Sequence, residues 1–102
     1  MTEPEWTLVW TTRALRELDR EAVWWVANRP KAPDLFEREI AETTEAIRAA
    51  PGIGQPYREG IRRAVLPRTQ RLIFYTTDDQ ARVVLILCLW SSQRARAPRL
   101  RF

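Results

Sequence analysis

The 102-residue chain has no histidine, and it has only one cysteine, one lysine, one methionine and three glycines. Without imidazole there is no histidine ligand for a metal, no general base for a serine and no partner to activate a cysteine. Cys88 lies inside the apolar run Val83–Trp90. It has no second cysteine to pair with, and its place is that of a small core hydrophobe rather than a thiolate nucleophile. Gly52, Gly54 and Gly60 fit neither a phosphate-cradling P-loop nor a dinucleotide-binding turn. The longest unbroken apolar run is those same eight residues, far short of a membrane span. No charged-then-apolar leader opens the chain, so a cytoplasmic location with no membrane partner is expected. Neither a metal nor a cofactor is expected.

What the chain does have is apolar bulk and arginine. Hydrophobic residues make up 45% of it, with five tryptophans, the composition of a globular domain rather than of a disordered chain. The length fits one domain, residues 1–102, with one core and little stability in reserve. Charge is divided unevenly. Residues 1–50 carry seven basic and ten acidic groups, and residues 51–102 carry ten basic and three acidic groups. An acidic first half and a second half of charge +7 point to an anionic partner for the second.

Ile61 to Trp90 organises the rest. Three apolar, β-branched or aromatic runs are separated by Pro67-Arg68-Thr69-Gln70 and by Asp78-Asp79-Gln80. Such runs with turn residues between them predict an antiparallel meander. Upstream, Trp6–Trp10 alternates and is β-prone, which predicts a first strand. Thr11 or Thr12 is suited to cap a helix. That helix carries Leu15, Leu18, Ala22, Trp25 and Val26 on its apolar side, and Arg13, Arg16, Glu17, Arg20 and Glu21 on the other. It should stop before Asn28-Arg29-Pro30. Pro33-Asp34 opens a second helix, with Phe36, Ile40, Thr43 and Ile47 as its seam. Glu37, Glu39, Glu42 and Glu45 should form its solvated outer face, and Pro51-Gly52 ends it. Residues 52–60 read as a loop. Residues 91–102, with four arginines and no hydrophobic period, read as an extended or mobile basic tail. The expected fold class is therefore α+β, in the order β-α-α-β-β-β, a helical hairpin packed on one face of a small, mainly antiparallel sheet. Leu15, Leu18, Phe36, Ile40, Ile47, Ile73, Val84, Ile86 and Cys88 are its expected core, with Ile73 rather than Leu72 and Phe74 on the helix side.

Chemistry is thinly represented. The helical carboxylates read as a solvated face, and Asp78-Asp79 as a turn. Arginine remains. Alternation allows Arg63 and Arg71 to sit on the sheet face away from the helices, exposed, with Tyr57, Tyr75 and Trp90 nearby. Guanidinium groups beside aromatic rings bind phosphates and stack on bases, and they also anchor protein interfaces.

An ordered set of segments carries a family resemblance. The tryptophan-rich first strand is followed by Ala14-Leu15-Arg16-Glu17-Leu18, Asn28-Arg29-Pro30, Phe36, Ile40 and Pro51-Gly52-Ile53-Gly54. Then come Arg62-Arg63-Ala64-Val65-Leu66, Arg71-Leu72-Ile73-Phe74-Tyr75 and Leu85–Trp90. Over residues 6–96 the chain resembles the ParE/RelE superfamily of bacterial type II toxin–antitoxin toxins, whose fold is a helical hairpin on an antiparallel sheet. RelE-like members of that superfamily cut mRNA on the ribosome; ParE-like members inhibit DNA gyrase. Arg71 matches the arginine that opens the third strand of the RelE-like nucleases, and Arg94 the arginine just after the last strand. The tyrosine that follows the latter would fall at Leu100, which cannot act as a base, and the lysines near the second strand are missing. Leu66-Pro67-Arg68-Thr69 and Trp90 look more like the ParE side.

The resemblance implies a toxin that arrests growth and is associated with plasmid stabilization, inhibits DNA gyrase without chemistry of its own, and is neutralised by a cognate antitoxin. Contact with DNA would come only through that antitoxin. The alternative is a ribosome-dependent mRNA endonuclease with Arg71 and Arg94 as catalytic residues. A third reading is a relative that only binds its partner and regulates transcription with it. Target binding is expected at Arg63, Arg68, Arg71, Arg94, Arg96, Arg99 and Arg101, with toxicity centred on Arg71, Arg94 and the tail through Phe102. Antitoxin binding is expected at Trp6, Trp24, Trp25 and Trp90.

Overall fold

The meander expected between Ile61 and Trp90 forms the middle of the sheet. The computed structural model describes residues 5–100. Its elements are β1 (Thr7–Trp10), α1 (Thr12–Asn28), α2 (Leu35–Ala49), β2 (Gln55–Arg58), β3 (Ile61–Leu66), β4 (Arg71–Asp78) and β5 (Val83–Ser91). The strands lie in the order β1-β5-β4-β3-β2. All pairings are antiparallel except β1 with β5. No described helix is long and apolar enough to cross a membrane.

One strand was not expected. The stretch read as a loop holds a single 3-10 turn, Pro51–Ile53, and then β2, which pairs with β3. Pro56 is compatible with β2 because β2 is a sheet edge, where a missing N–H breaks no ladder. Gly60, at φ +76, makes the turn into β3.

Thr11 caps α1, its hydroxyl accepting from the Ala14 N–H at 3.1 Å. On the helix side of the sheet, Ala14, Trp25, Phe36, Ile40 and Ile47 pack on Leu66, Ile73, Tyr75, Val84, Ile86 and Leu89. On the opposite face Ile61, Phe74, Leu87 and Cys88 form a second cluster, joined by Tyr57, Leu72, Trp90 and Leu100. Ile73 thus faces the helices and Leu72 and Phe74 do not, as read from the sequence. Cys88 is buried, as expected of a core residue, but in the opposite-face cluster rather than beside Val84 and Ile86. The register of β4 with β5 shifts between Phe74 and Tyr75, leaving Leu87 as an extra residue on β5. The bulge reverses the alternation beyond it, so Leu89 takes the helix side. The tail also differs from expectation. Pro98 is buried, Leu100 packs on the opposite-face cluster, and the Trp90 indole donates to the Arg96 carbonyl at 3.0 Å. Residues 1–4, Arg101 and Phe102 lie outside the described residues.

The largest departure concerns carboxylates. Glu17, Glu21 and Glu39, read as solvated, are buried. α1 is turned so that Ala14, Glu17, Glu21 and Trp25 face the sheet, while Leu15 is 46% exposed. Each carboxylate meets donors from across the chain: a strand edge for Glu17, the β3–β4 turn for Glu39 and the Arg71 guanidinium for Glu21. β1 pairs with β5 only as far as Ile86, so the next stretch of β5 is an open edge. Glu17 accepts from the Leu89 N–H there at 3.1 Å and from Arg13 Nε at 3.2 Å. Glu39 accepts from the Arg68 and Thr69 N–H groups, both at 2.9 Å, and from the Thr69 hydroxyl at 2.7 Å. Buried polar groups have to be satisfied, and here side chains do what a further strand would do.

Two predictions arise from this packing. The Tyr75 hydroxyl donates to the Pro51 carbonyl at 2.6 Å and accepts from the Gly54 N–H at 2.9 Å. A Cβ on Gly54 would lie 2.5 Å from that hydroxyl, whereas one on Gly52 would meet nothing within 4 Å. Gly54→Ala should therefore lower stability by about 1–3 kcal/mol, with Gly52→Ala as the matched comparison in thermal melts. Burial, with Glu17 adding to it, pushes the Cys88 thiol from 9.0 to about 12. The folded protein should resist alkylation at pH 8 and label only in denaturant. Because the folded value is raised, this group's contribution to stability is intact below pH 9 and declines as pH rises toward 12. Cys88→Ala should show a shallower loss over that window.

Candidate functional site: an arginine and tryptophan cleft

A cleft of about 570 Å³ opens where the second half of α1 meets the β3–β4 turn and the residues just after β5. α1 contributes Arg20, Glu21, Trp24 and Trp25, and Arg29 follows from its C-terminal cap. The turn contributes Arg68, Thr69 and Gln70 ahead of Arg71, and the third wall is Ser91, Gln93 and Arg94.

Arg71 is its base. It faces α1, not the opposite side as alternation had allowed, and is only 6% exposed. One arm donates to the Thr69 carbonyl at 2.6 Å and the other to Glu21 at 3.1 Å. The ion pair is nearly closed to solvent on both sides. Its Nε has no acceptor and is itself covered. The guanidinium lies 5.4 Å from the Trp24 ring centroid, and Arg29 approaches the same ring at 5.2 Å. The turn is held from two sides. Glu39 binds Arg68 and Thr69 from below, and the Gln70 carbonyl accepts from the Ser92 N–H at 3.0 Å and its hydroxyl at 2.9 Å. These contacts keep Gln70 at φ 57, a left-handed conformation that a non-glycine residue adopts at a cost of about 1 kcal/mol.

The cleft brings together Arg68, Arg71, Arg94, Trp24 and Trp25 from the residues singled out by sequence. Arg63 and Arg96 are elsewhere, on a shallow depression of the opposite face with Tyr57 and Trp90. Of the expected opposite-face pair, Arg63 is there and Arg71 is not. The Arg99 carbonyl accepts from the Arg13 guanidinium, and Arg101 is outside the described residues. Trp25 was expected at a partner surface but is 5% exposed, stacks on Phe36 and donates from its indole to the Ala32 carbonyl at 2.8 Å. Trp24, its neighbour, is the exposed one, at 40%. Trp6 is half-buried beneath Arg82, and Trp90 half-buried beneath Arg94 at 4.2 Å. Sequence reading missed Arg20, Glu21 and Arg29. The spacing of Arg20 and Trp24 does place them on one helix face, but nothing local signals a pairing between Glu21 and Arg71.

Five guanidinium groups surround one carboxylate, and that carboxylate is already paired. The cleft is therefore suited to hold an oxyanion. It offers no free acid or base among the described residues lining it.

The helical hairpin on a mixed five-stranded sheet, with this basic cleft at one end, is the RelE/ParE-like fold. Residues 8–96 match the family described as the ParE toxin of the type II toxin–antitoxin system parDE, and the chain belongs to that family. It is a toxin of the type II toxin–antitoxin class. Among solved structures, the chromosomal ParDE system from P. aeruginosa contains a similar chain. The two are 22% identical, the match covers 87% of this chain and 98% of that one, and the TM-score is 0.73. The RelBE2 toxin–antitoxin complex from Mycobacterium tuberculosis is similar at 22% identity, covering 86% and 99%, with a TM-score of 0.63. The archaeal RelE–RelB complex from Pyrococcus horikoshii follows at 18% identity, covering 90% and 100%, with a TM-score of 0.59. A comparison of the sequence with curated proteins found no match.

Proposed function

We propose that this toxin acts in the cytoplasm by binding and inhibiting DNA gyrase, with no chemistry of its own, and is kept inactive by a cognate antitoxin. The observation that carries the reading is the state of Arg71. Its guanidinium is buried and committed to Glu21 and Thr69, so it is not free to meet charge developing on a phosphate. Leu100, at the position of the tyrosine of RelE-like nucleases, packs against an apolar cluster. The solved relatives named as ParDE, RelBE2 and RelE–RelB assemblies support an antitoxin partner.

Purified protein should inhibit supercoiling by gyrase and leave no cleavage signal in a toeprint of translating ribosomes. The reverse pair of results would favour the second reading, a RelE-type mRNA endonuclease. What speaks for that second reading is that Arg71 and Arg94, the two matched arginines, line one cleft. Arg94 is the residue on which to test toxicity, because it is exposed. Arg94→Ala should abolish growth arrest on induction while changing stability by no more than about 0.5 kcal/mol. Arg94→Lys should also be impaired, since lysine lacks the planar fork. Full toxicity in Arg94→Ala would move the target site away from the cleft.

A further inference from the structure

We propose that the sheet face opposite the helices binds the phosphate backbone of duplex DNA, without regard to sequence, through Arg63 and Arg96 with Arg58 and Arg94 beside them. The family resemblance implied DNA contact only through an antitoxin; this is a direct contact by the toxin itself. It goes beyond the gyrase reading and does not depend on it.

Four observations select this occupant. First, the face is positive and nothing on it offsets the charge. Its depression, about 180 Å³, is lined by Arg63, Arg94 and Arg96 and by no carboxylate. Among the described residues none of these three forms an ion pair, and neither does Arg58. Arg63 also has a donor to spare. Its Nε is covered and has no acceptor, and its one side-chain hydrogen bond, to Gln55, is long at 3.4 Å. A phosphate oxygen is the acceptor a guanidinium fork meets best. Second, the tail carries its arginines on an anchored segment. Pro98 is buried, Leu100 packs on the opposite-face cluster, and the Arg96 carbonyl accepts from the Trp90 indole. Third, that packing closes the face to a protein partner. The larger apolar side chains lining the depression, Tyr57, Leu72, Phe74, Trp90 and Pro98, are all buried or half-buried. No open pocket is left for the aromatic or aliphatic anchor on which a protein interface depends. Fourth, the rings are already covered, Tyr57 by Arg58 and Arg63 and Trp90 by Arg94. Single-stranded nucleic acid is held by bases stacking on open rings. A duplex keeps its bases stacked within itself and presents phosphates, which is what this face can take.

The experiment measures fluorescence anisotropy of a labelled DNA duplex of about 20 base pairs, titrated with the free full-length protein over a series of salt concentrations. The dissociation constant should be about 1–100 μM near physiological salt, the same for unrelated sequences, with log K falling linearly in log salt. Arg63→Gln and Arg96→Gln should each weaken binding at low salt by about threefold or more and reduce that slope by about 1. Arg63→Lys should keep most of the slope, since lysine still meets a phosphate as a point charge. Arg38, exposed on α2, and Arg20, in the cleft, lie on the other side of the sheet. Arg38→Gln and Arg20→Gln should stay within about twofold. Circular dichroism and melting curves check folding. Arg96 is exposed, so its variant tests the proposal even where Arg63→Gln is destabilised. Arg96→Gln binding the duplex as tightly as the parent would overturn the proposal. Equal losses in Arg20→Gln and Arg38→Gln would also overturn it, because net charge rather than this face would then be responsible. So would a single strand of the same length, or poly-glutamate of equal charge, that binds more tightly than the duplex and depends on Arg63 and Arg96. The gyrase reading fails separately. A variant that no longer binds the duplex but still inhibits supercoiling leaves that reading standing, and a protein that binds the duplex but never inhibits gyrase removes it alone.

Discussion

Replacing Arg71 with alanine is expected to lower the unfolding free energy by about 3–5 kcal/mol. The guanidinium and Glu21 are 7% and 11% exposed as side chains, so solvent screens the pair little. Removing the cation leaves a carboxylate inside the protein with its principal partner gone, and the Thr69 carbonyl loses its donor as well. The penalty comes from the stranded charge more than from the pair's net worth. A Glu21→Leu, Arg71→Met double variant should therefore recover most of the lost stability. Urea unfolding of the single and double variants provides the measurement. A change within about 0.5 kcal/mol for Arg71→Ala would mean that the guanidinium is solvated in solution and the pair is not structural. This position was expected from the sequence to be exposed and removable at little cost, and the buried pair reverses that expectation. Loss of toxicity in Arg71→Ala therefore reports on the fold first, whereas loss in Arg94→Ala reports on the site.

Glu39→Ala should be the second large loss, about 3 kcal/mol. Three donors end on this one carboxylate: the N–H groups of Arg68 and Thr69 and the Thr69 hydroxyl. Thr69 is 2% exposed, so water does not readily replace the acceptor. Glu39→Gln keeps one oxygen acceptor and should lose about half as much. Amide exchange at Arg68 and Thr69 should accelerate in both variants before the rest of the sheet is affected. The turn presents Arg68 and leads into Arg71, so its loosening should weaken binding at the cleft even where the protein stays folded. Unchanged exchange at those two amides would show that another group holds the turn.

Much of the architecture was legible in the residues. A period near 3.6 placed both helices, since an apolar seam at that spacing can be buried only by a helix. Alternation assigned Ile73 to the helix side and Leu72 and Phe74 to the other, because the pleat has a period of two. Where local rules were insufficient, the reason is identifiable. The β5 bulge changed the phase under Cys88, and nothing in Val83–Trp90 marks where an extra residue will fall. β2 was hidden by Pro56 and the glycines around it, which are loop signals except at a sheet edge.

The sequence by itself determined the order of the elements, the apolar faces of the meander and the segregation of positive charge into the second half, because each depends on neighbours within a turn or a pleat. Only the tertiary structure decided the fate of Glu17, Glu21 and Glu39. A helical glutamate is solvated unless a donor meets it, and the donors come from residues 72, 50 and 30 positions away. The same holds for the cleft, which exists only because α1, the β3–β4 turn and the residues after β5 converge around Arg71.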